Sequence, residues 1–207
     1  AEGEPLVCKA INLDEDEFDE LALVQETENG MQLVIAKPAQ REKFTSEWEI
    51  LLQIDLPEVR RKPEAIRDLN VFGQRGTGLM VFVPRESPVF LARSLGGEPY
   101  ELEVVAERSS IRESLLKEIT PSQVSEVDVD GDGENELVAA RPGYARALQF
   151  DGDNLEMVDQ FNARRSSDQI AAVIPSIFDG IVESLVLYVS EEGELQFLVR
   201  DGDGVLR

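Results

Sequence analysis

Residues 128–136 read Asp128, Val129, Asp130, Gly131, Asp132, Gly133, Glu134, Asn135, Glu136, so carboxylates alternate with small or apolar residues and an acid closes the run. The chemistry this spacing offers is the capture of a hard cation. Ca²⁺ takes about six to eight oxygen ligands at about 2.3–2.6 Å, and acids at loop positions 1, 3, 5 and 9 with a main-chain carbonyl near position 7 can converge on one point. The expected ligands are therefore Asp128, Asp130, Asp132, Glu134 (through its carbonyl) and Glu136. Five carboxylates in nine residues repel one another unless a cation sits among them. A hydrated acidic hairpin is the bland alternative.

The elements that must hold such a loop are strands. An EF-hand also opens with this acidic pattern, but it closes with Glu at position 12, where this chain has Ala139, and it is flanked by helices. Here Leu137–Ala140, the Pro142-Gly143 pair and Tyr144–Phe150 read as two strands around a tight turn.

The pattern recurs. Residues 12–20 place Asn12, Asp14, Asp16 and Glu20 at the same four positions, with Leu21 falling on Leu137, 116 residues on. They form a second candidate cation loop, in which Glu15 and Glu17 stand where the stronger loop has glycines. Halfway between lies Asn70–Gly78, a Gly-rich stretch entering the apolar Leu79–Val83, with the acids gone. A fourth copy, Ile170–Pro175 then Phe178–Glu183 and Leu185–Val189, is eroded in the same way.

Each copy reads as four short strands. The first has Leu6–Ile11, Leu21–Gln25, Met31–Ala36 and Trp48–Ile54; the second Glu64–Arg67, Leu79–Val83, Val89–Arg93 and Tyr100–Ala106. The third has Val124–Val127, Leu137–Arg141, Ala145–Phe150 and Leu155–Gln160, and in the fourth only Val205–Arg207 remains for the last strand. Asp151-Gly152-Asp153 and Asp201-Gly202-Asp203 are expected to be hairpin turns. Repeats of four strands every 40–50 residues or so are the pattern of propeller blades, with a solenoid as the competing architecture. The blades span about 5–55, 63–107, 122–161 and 168–207 in a single domain or fragment. Between them, Leu56–Pro63, with the basic cluster Arg60-Arg61-Lys62, and Gln160–Asp168, with Arg164-Arg165, are exposed joints, and Ser110-Ile111-Arg112-Glu113 is a capping box opening a helix over Ile111–Ile119.

The acidic loop with its following strand, repeated at blade spacing, resembles the FG-GAP or VCBS-type repeats of integrin-alpha-like β-propellers. That resemblance implies an all-β propeller-like fold of about four blades, structural Ca²⁺ in the loop joining the first two strands of a blade, and an extracytoplasmic, secreted or cell-surface location. It also implies a non-enzymatic binding or scaffold module for protein or glycan partners. The alternative is the propeller portion of a secreted carbohydrate-active enzyme, a lyase or glycosidase. Fewer blades than a propeller usually has means that further sequence, a dimer or an open arc must protect the sheet edges.

Composition narrows the function further. The chain has 207 residues, 42 acids against 20 bases and no His, for a net charge of −22. So acidic a surface repels nucleic acid and anionic membranes, and the lack of His removes the commonest general base and the usual zinc ligand. No catalytic residue is assigned. No apolar run reaches the ~20 residues of a membrane span. The single Cys8, among apolar neighbours, is expected to be a buried thiol, and Ala1 in place of Met reads as a processed or internal boundary.

Overall fold

The computed structural model describes residues 3–14, 16–39, 47–165, 167–178, 182–189, 193–199, 202 and 206. The expected turn at Asp201 and Asp203 lies outside them, as do Val205 and Arg207. The chain forms two compact units, residues 1–107 and 108–207. The described residues are all-β apart from one six-residue helix and two short 3₁₀ turns, and their strands form four antiparallel sheets.

In the N-terminal unit, β1 (Glu4–Ile11), β2 (Glu20–Thr27), β3 (Gly30–Pro38) and β4 (Trp48–Asp55) pair in chain order. A second meander follows, of β5 (Ala65–Leu69), β6 (Gly78–Phe82), β7 (Val89–Arg93) and β8 (Leu102–Val105). Period-two patterning explains the pairing: Ala22 and Val24 of β2 with Leu33 and Ile35 of β3 face inward, while Leu21 and Leu23 lie half-buried on the other face. These inward residues join Ile66, Leu79, Val81 and Leu91 of the second sheet in one apolar cluster. Each fully buried Leu, Ile or Val contributes about 1.5–3 kcal/mol, so this cluster holds the two sheets together.

In the C-terminal unit, β9 (Val124–Val127), β10 (Glu136–Arg141), β11 (Tyr144–Asp151) and β12 (Asn154–Asn162) make a third meander. Three more strands, β13 (Ile170–Phe178), β14 (Val182–Val189) and β15 (Glu194–Val199), form the fourth sheet. Val138, Ala140, Ala145, Ala147 and Phe161 pack with Val173, Leu185, Leu187 and Leu198. A buried hydrogen bond from the Ser125 hydroxyl to Val173 O, 2.6 Å long, ties β9 to β13. Leu206 is buried in this core, and its N–H donates to Val129 O rather than extending β15.

Two sequence expectations are corrected. The helix α1 covers only Ser110–Leu115, and its N-cap is Ser109, whose hydroxyl accepts from Arg112 N–H. It stops before Ile119 because Glu118 takes a left-handed backbone (φ 61°), and the Arg141 guanidinium ties down the carbonyls of Leu115 and Lys117. Cys8 is exposed rather than buried. On the edge strand β1, Val7, Lys9 and Ile11 sit opposite the buried Val24, Ala22 and Glu20, which turns Cys8 to the opposite face.

The joint 56–63 is pinned at both ends by the buried Leu56, Val59 and Pro63, while its bases stay exposed beside acids. Arg61 lies 3.6 Å from Glu86, and Lys62 lies 3.4 Å from Glu26.

Candidate cation sites

The two acidic loops occupy equivalent places in their sheets, each linking the first two strands of a meander. The foot of each loop has the same register: Ile11 pairs with Glu20 in the first sheet, and Val127 with Glu136 in the third. The closing Glu is the first residue of its outgoing strand, and its inward direction buries it almost completely, at 1% exposure for Glu20 and 0% for Glu136.

Three hydrogen bonds shape both loops alike. The Leu13 N–H donates to Glu20 Oε2 at 3.1 Å, as Val129 N–H donates to Glu136 Oε2 at 2.8 Å. Asp14 Oδ1 accepts from Asp16 N–H, as Asp130 Oδ1 does from Asp132 N–H. Asp16 Oδ1 accepts from Phe18 N–H, as Asp132 Oδ1 does from Glu134 N–H. Short acidic side chains that accept from an N–H two residues on fold the chain into successive tight turns. In each loop this gathers a set of carboxylate oxygens lying within 4.8 Å of one another: Asp14, Asp16 and Glu20 in the first, Asp128, Asp130 and Glu136 in the second. Either set could hold a metal ion.

The loops then diverge. In the C-terminal unit, Asp128 accepts from Gly131 N–H at 2.6 Å and Gly133 N–H at 3.1 Å, and both glycines adopt positive φ (85° and 95°) that a residue with a side chain resists. Asp132 and Glu134 are exposed and stand outside the three-residue cluster. Glu136 Oε1 is buried and has no hydrogen-bond partner among the described residues. Burial pushes the Glu136 carboxyl up to about 7, opposed by the Val129 N–H and reinforced by Asp130, Asp132 and Asp128.

In the first loop no described residue has positive φ, so Glu17 does not copy the turn of Gly133. Its partner at the glycine positions, Glu15, lies outside the described residues. Asn12 replaces Asp128, and its amide Nδ2 donates to Asp16 O at 2.7 Å while its Oδ1 is buried and unpartnered among the described residues. The Tyr100 hydroxyl lies 2.6 Å from Asp14 Oδ2 and 3.0 Å from Glu20 Oε1, and donates to this pair. The Arg93 guanidinium donates to Leu13 O at 2.8 Å. Burial and the bonds to Asp14 and Glu20 hold the Tyr100 phenol above its ordinary range.

The second sheet has the same register, Leu69 opposite Gly78, at the foot of its own loop. Here the closing carboxylate is replaced by Gly78, and the buried Phe72 ring fills the space, so that a Cβ at Gly78 would stand 2.6 Å from the ring and 2.5 Å from Leu91 O. The fourth copy's loop, residues 179–181, lies outside the described residues.

Sequence reasoning located both acidic loops and missed Tyr100, Arg93 and Phe72. Phe72 lay within a stretch already aligned to the acidic loops, whereas Tyr100 and Arg93 are some 80 residues from the loop they touch and carry no local signal. No protein-family model matches the chain, and no curated protein sequence matches it. No helix among the described residues is long and apolar enough to cross a membrane.

Proposed function

We propose that the chain is a non-enzymatic binding or scaffold module built from propeller-type blades of the FG-GAP or VCBS kind, with structural Ca²⁺ held by loop 128–136. The observation that carries this is Glu136 Oε1, a buried carboxylate oxygen without a partner among the described residues, beside Asp128 and Asp130. Leaving a charged acceptor buried and unsatisfied is costly, and a cation removes that cost for the whole cluster. A hard, all-oxygen donor set suits Ca²⁺ or Mg²⁺, and a loop that can add a main-chain carbonyl near position 7 suits the larger ion, which takes more ligands. The ion's binding energy becomes folding stability, because the unfolded chain has no such site. Asp132 and Glu134 belong to the outer, water-facing part of the loop.

The blade assignment is supported by the shared loop register of three meanders at intervals of 58 residues. A binding role is supported by the outward face of the fourth sheet. There Ile174 and Phe197 flank Val186, and Tyr188 pairs with Leu195, leaving large apolar side chains in solvent. An extracytoplasmic location, where Ca²⁺ is plentiful, follows from the same reading. The group of Tyr100, Asp14, Glu20 and Arg93 does not favour the enzyme alternative: burial and the carboxylates beside the phenol resist its deprotonation, which makes it a poor general base.

Thermal unfolding of the parent and of Asp130→Ala, each with Ca²⁺ and with EDTA, tests the proposal. The parent is expected to melt higher with Ca²⁺ and Asp130→Ala to lose most of that difference. A parent melting temperature unchanged by chelation sinks the calcium assignment.

A further inference from the structure

We infer that Tyr100, assisted by Arg93, stands in for a cation at the first acidic loop, so that of the two acidic loops only 128–136 takes up an ion and the other is closed by the protein's own side chains. This rests on the reading of 128–136 as a cation loop. The two loops share register and three hydrogen bonds, yet the oxygen left without a partner in one, Glu136 Oε1, has as its counterpart Glu20 Oε1, which meets the Tyr100 hydroxyl at 3.0 Å. The same hydroxyl lies 2.6 Å from Asp14 Oδ2. The 2.6 Å separation is that of a long Ca²⁺–oxygen bond and the 3.0 Å one is longer, so the phenol oxygen stands near, but not at, the place of an ion shared by Asp14 and Glu20.

Charge points the same way. The first loop has neutral Asn12 in place of Asp128, and that amide turns a donor, not an acceptor, toward Asp16 O. Arg93 places a guanidinium on Leu13 O, so a fixed positive charge already lies at the loop's edge. The half-buried Tyr100 hydroxyl, with a cationic side chain nearby, does for Asp14 and Glu20 what an ion would do for Asp130 and Glu136. Because Arg93 ends β7 and Tyr100 lies between β7 and β8, this arrangement also fastens the first hairpin to the second sheet. The second sheet shows a further way to fill the place, with Phe72 against Gly78.

Removing the hydroxyl is expected to open the site, since Glu20 Oε1 would then join Asn12 Oδ1 as a buried oxygen without a partner among the described residues, beside Asp14. Calcium titration calorimetry on the full chain tests this, with thermal unfolding in EDTA and in Ca²⁺ as a folding control. The parent should bind one equivalent and Glu136→Gln none. Tyr100→Phe should bind two and the double variant one, with that last equivalent abolished by Asp14→Asn. If Tyr100→Phe unfolds in EDTA, recovery of the folded state on adding Ca²⁺ supports the inference, and failure to recover overturns it. A parent that binds a second ion lost on Asp14→Asn overturns it, as does a folded Tyr100→Phe that binds no more than the parent. Should the parent bind nothing while Tyr100→Phe gains an ion lost on Asp14→Asn, the cation reading of 128–136 falls and the role of Tyr100 stands. No binding in either sinks both.

Discussion

The loops at 12–20 and 128–136 have the same backbone duty, the same register and the same three internal hydrogen bonds, yet they differ in what neutralises them. In the first, the Tyr100 hydroxyl meets Glu20 Oε1 and Arg93 donates to Leu13 O, while the amide oxygen of Asn12 stays unpartnered among the described residues. The second leaves a buried carboxylate oxygen open toward its neighbouring acids. The difference teaches that an acidic loop is defined less by its carboxylates than by what faces them. Ligand spacing sets where a cation could go, and a tyrosine brought in from a distant connection decides whether it is needed.

Withdrawing Ca²⁺ from the parent is expected to lower stability by about 3 kcal/mol relative to ion at a hundredfold excess over its dissociation constant. Chemical denaturation with and without EDTA measures it, and Asp130→Ala should show almost none of the difference. Tyr100→Phe in EDTA leaves the buried Glu20 Oε1 without its donor, with an expected loss of roughly 1–3 kcal/mol that Ca²⁺ partly restores. A loss insensitive to Ca²⁺ would mean that the hydroxyl is only a structural bond.

The pH dependence sharpens the comparison. Without a cation, Glu136 titrates near 7 in the folded chain against its ordinary 4.5, so between those values the folded state holds more protons than the unfolded one. Its contribution therefore weakens as pH rises through that window. The calcium-free parent should lose stability between about pH 5 and pH 8, more steeply than Glu136→Gln does. With saturating Ca²⁺ the parent is expected to be the more stable at about pH 8, because it holds the ion and Glu136→Gln does not. A parent no more stable than Glu136→Gln under those conditions would deny Glu136 a role in holding an ion. The smallest expected effect belongs to Asp132→Asn and Glu134→Gln. Both side chains are exposed and outside the cluster, so stability should change by no more than about 0.5 kcal/mol, with Ca²⁺ or without it.

Much of the fold could be read from the sequence because its signals are local. Val124–Val127 and Val89–Arg93 form as strands at the expected bounds, since short apolar runs between turn residues have little else to do. The acidic loops were legible for the same reason: Asp at alternate positions accepts from N–H groups two residues on. Boundaries set by single side chains were less so. Ser109 and Ser110 are equally good caps on paper, and the choice fell to the one whose hydroxyl faces Arg112 N–H. Cys8 has apolar neighbours in sequence, but strand alternation on an edge turned it outward. The partners of the site were not legible at all. Nothing near Tyr100 announces that its hydroxyl will meet Asp14 and Glu20, because only the packing of two sheets brings them together.

The most direct test of a calcium ion at 128–136 and a closed site at 12–20 is diffraction from calcium-grown crystals at a wavelength where Ca²⁺ scatters anomalously. One peak is expected, about 2.3–2.6 Å from oxygens of Asp128, Asp130 and Glu136. A peak between Asp14 and Glu20, or none beside Glu136, would contradict the account.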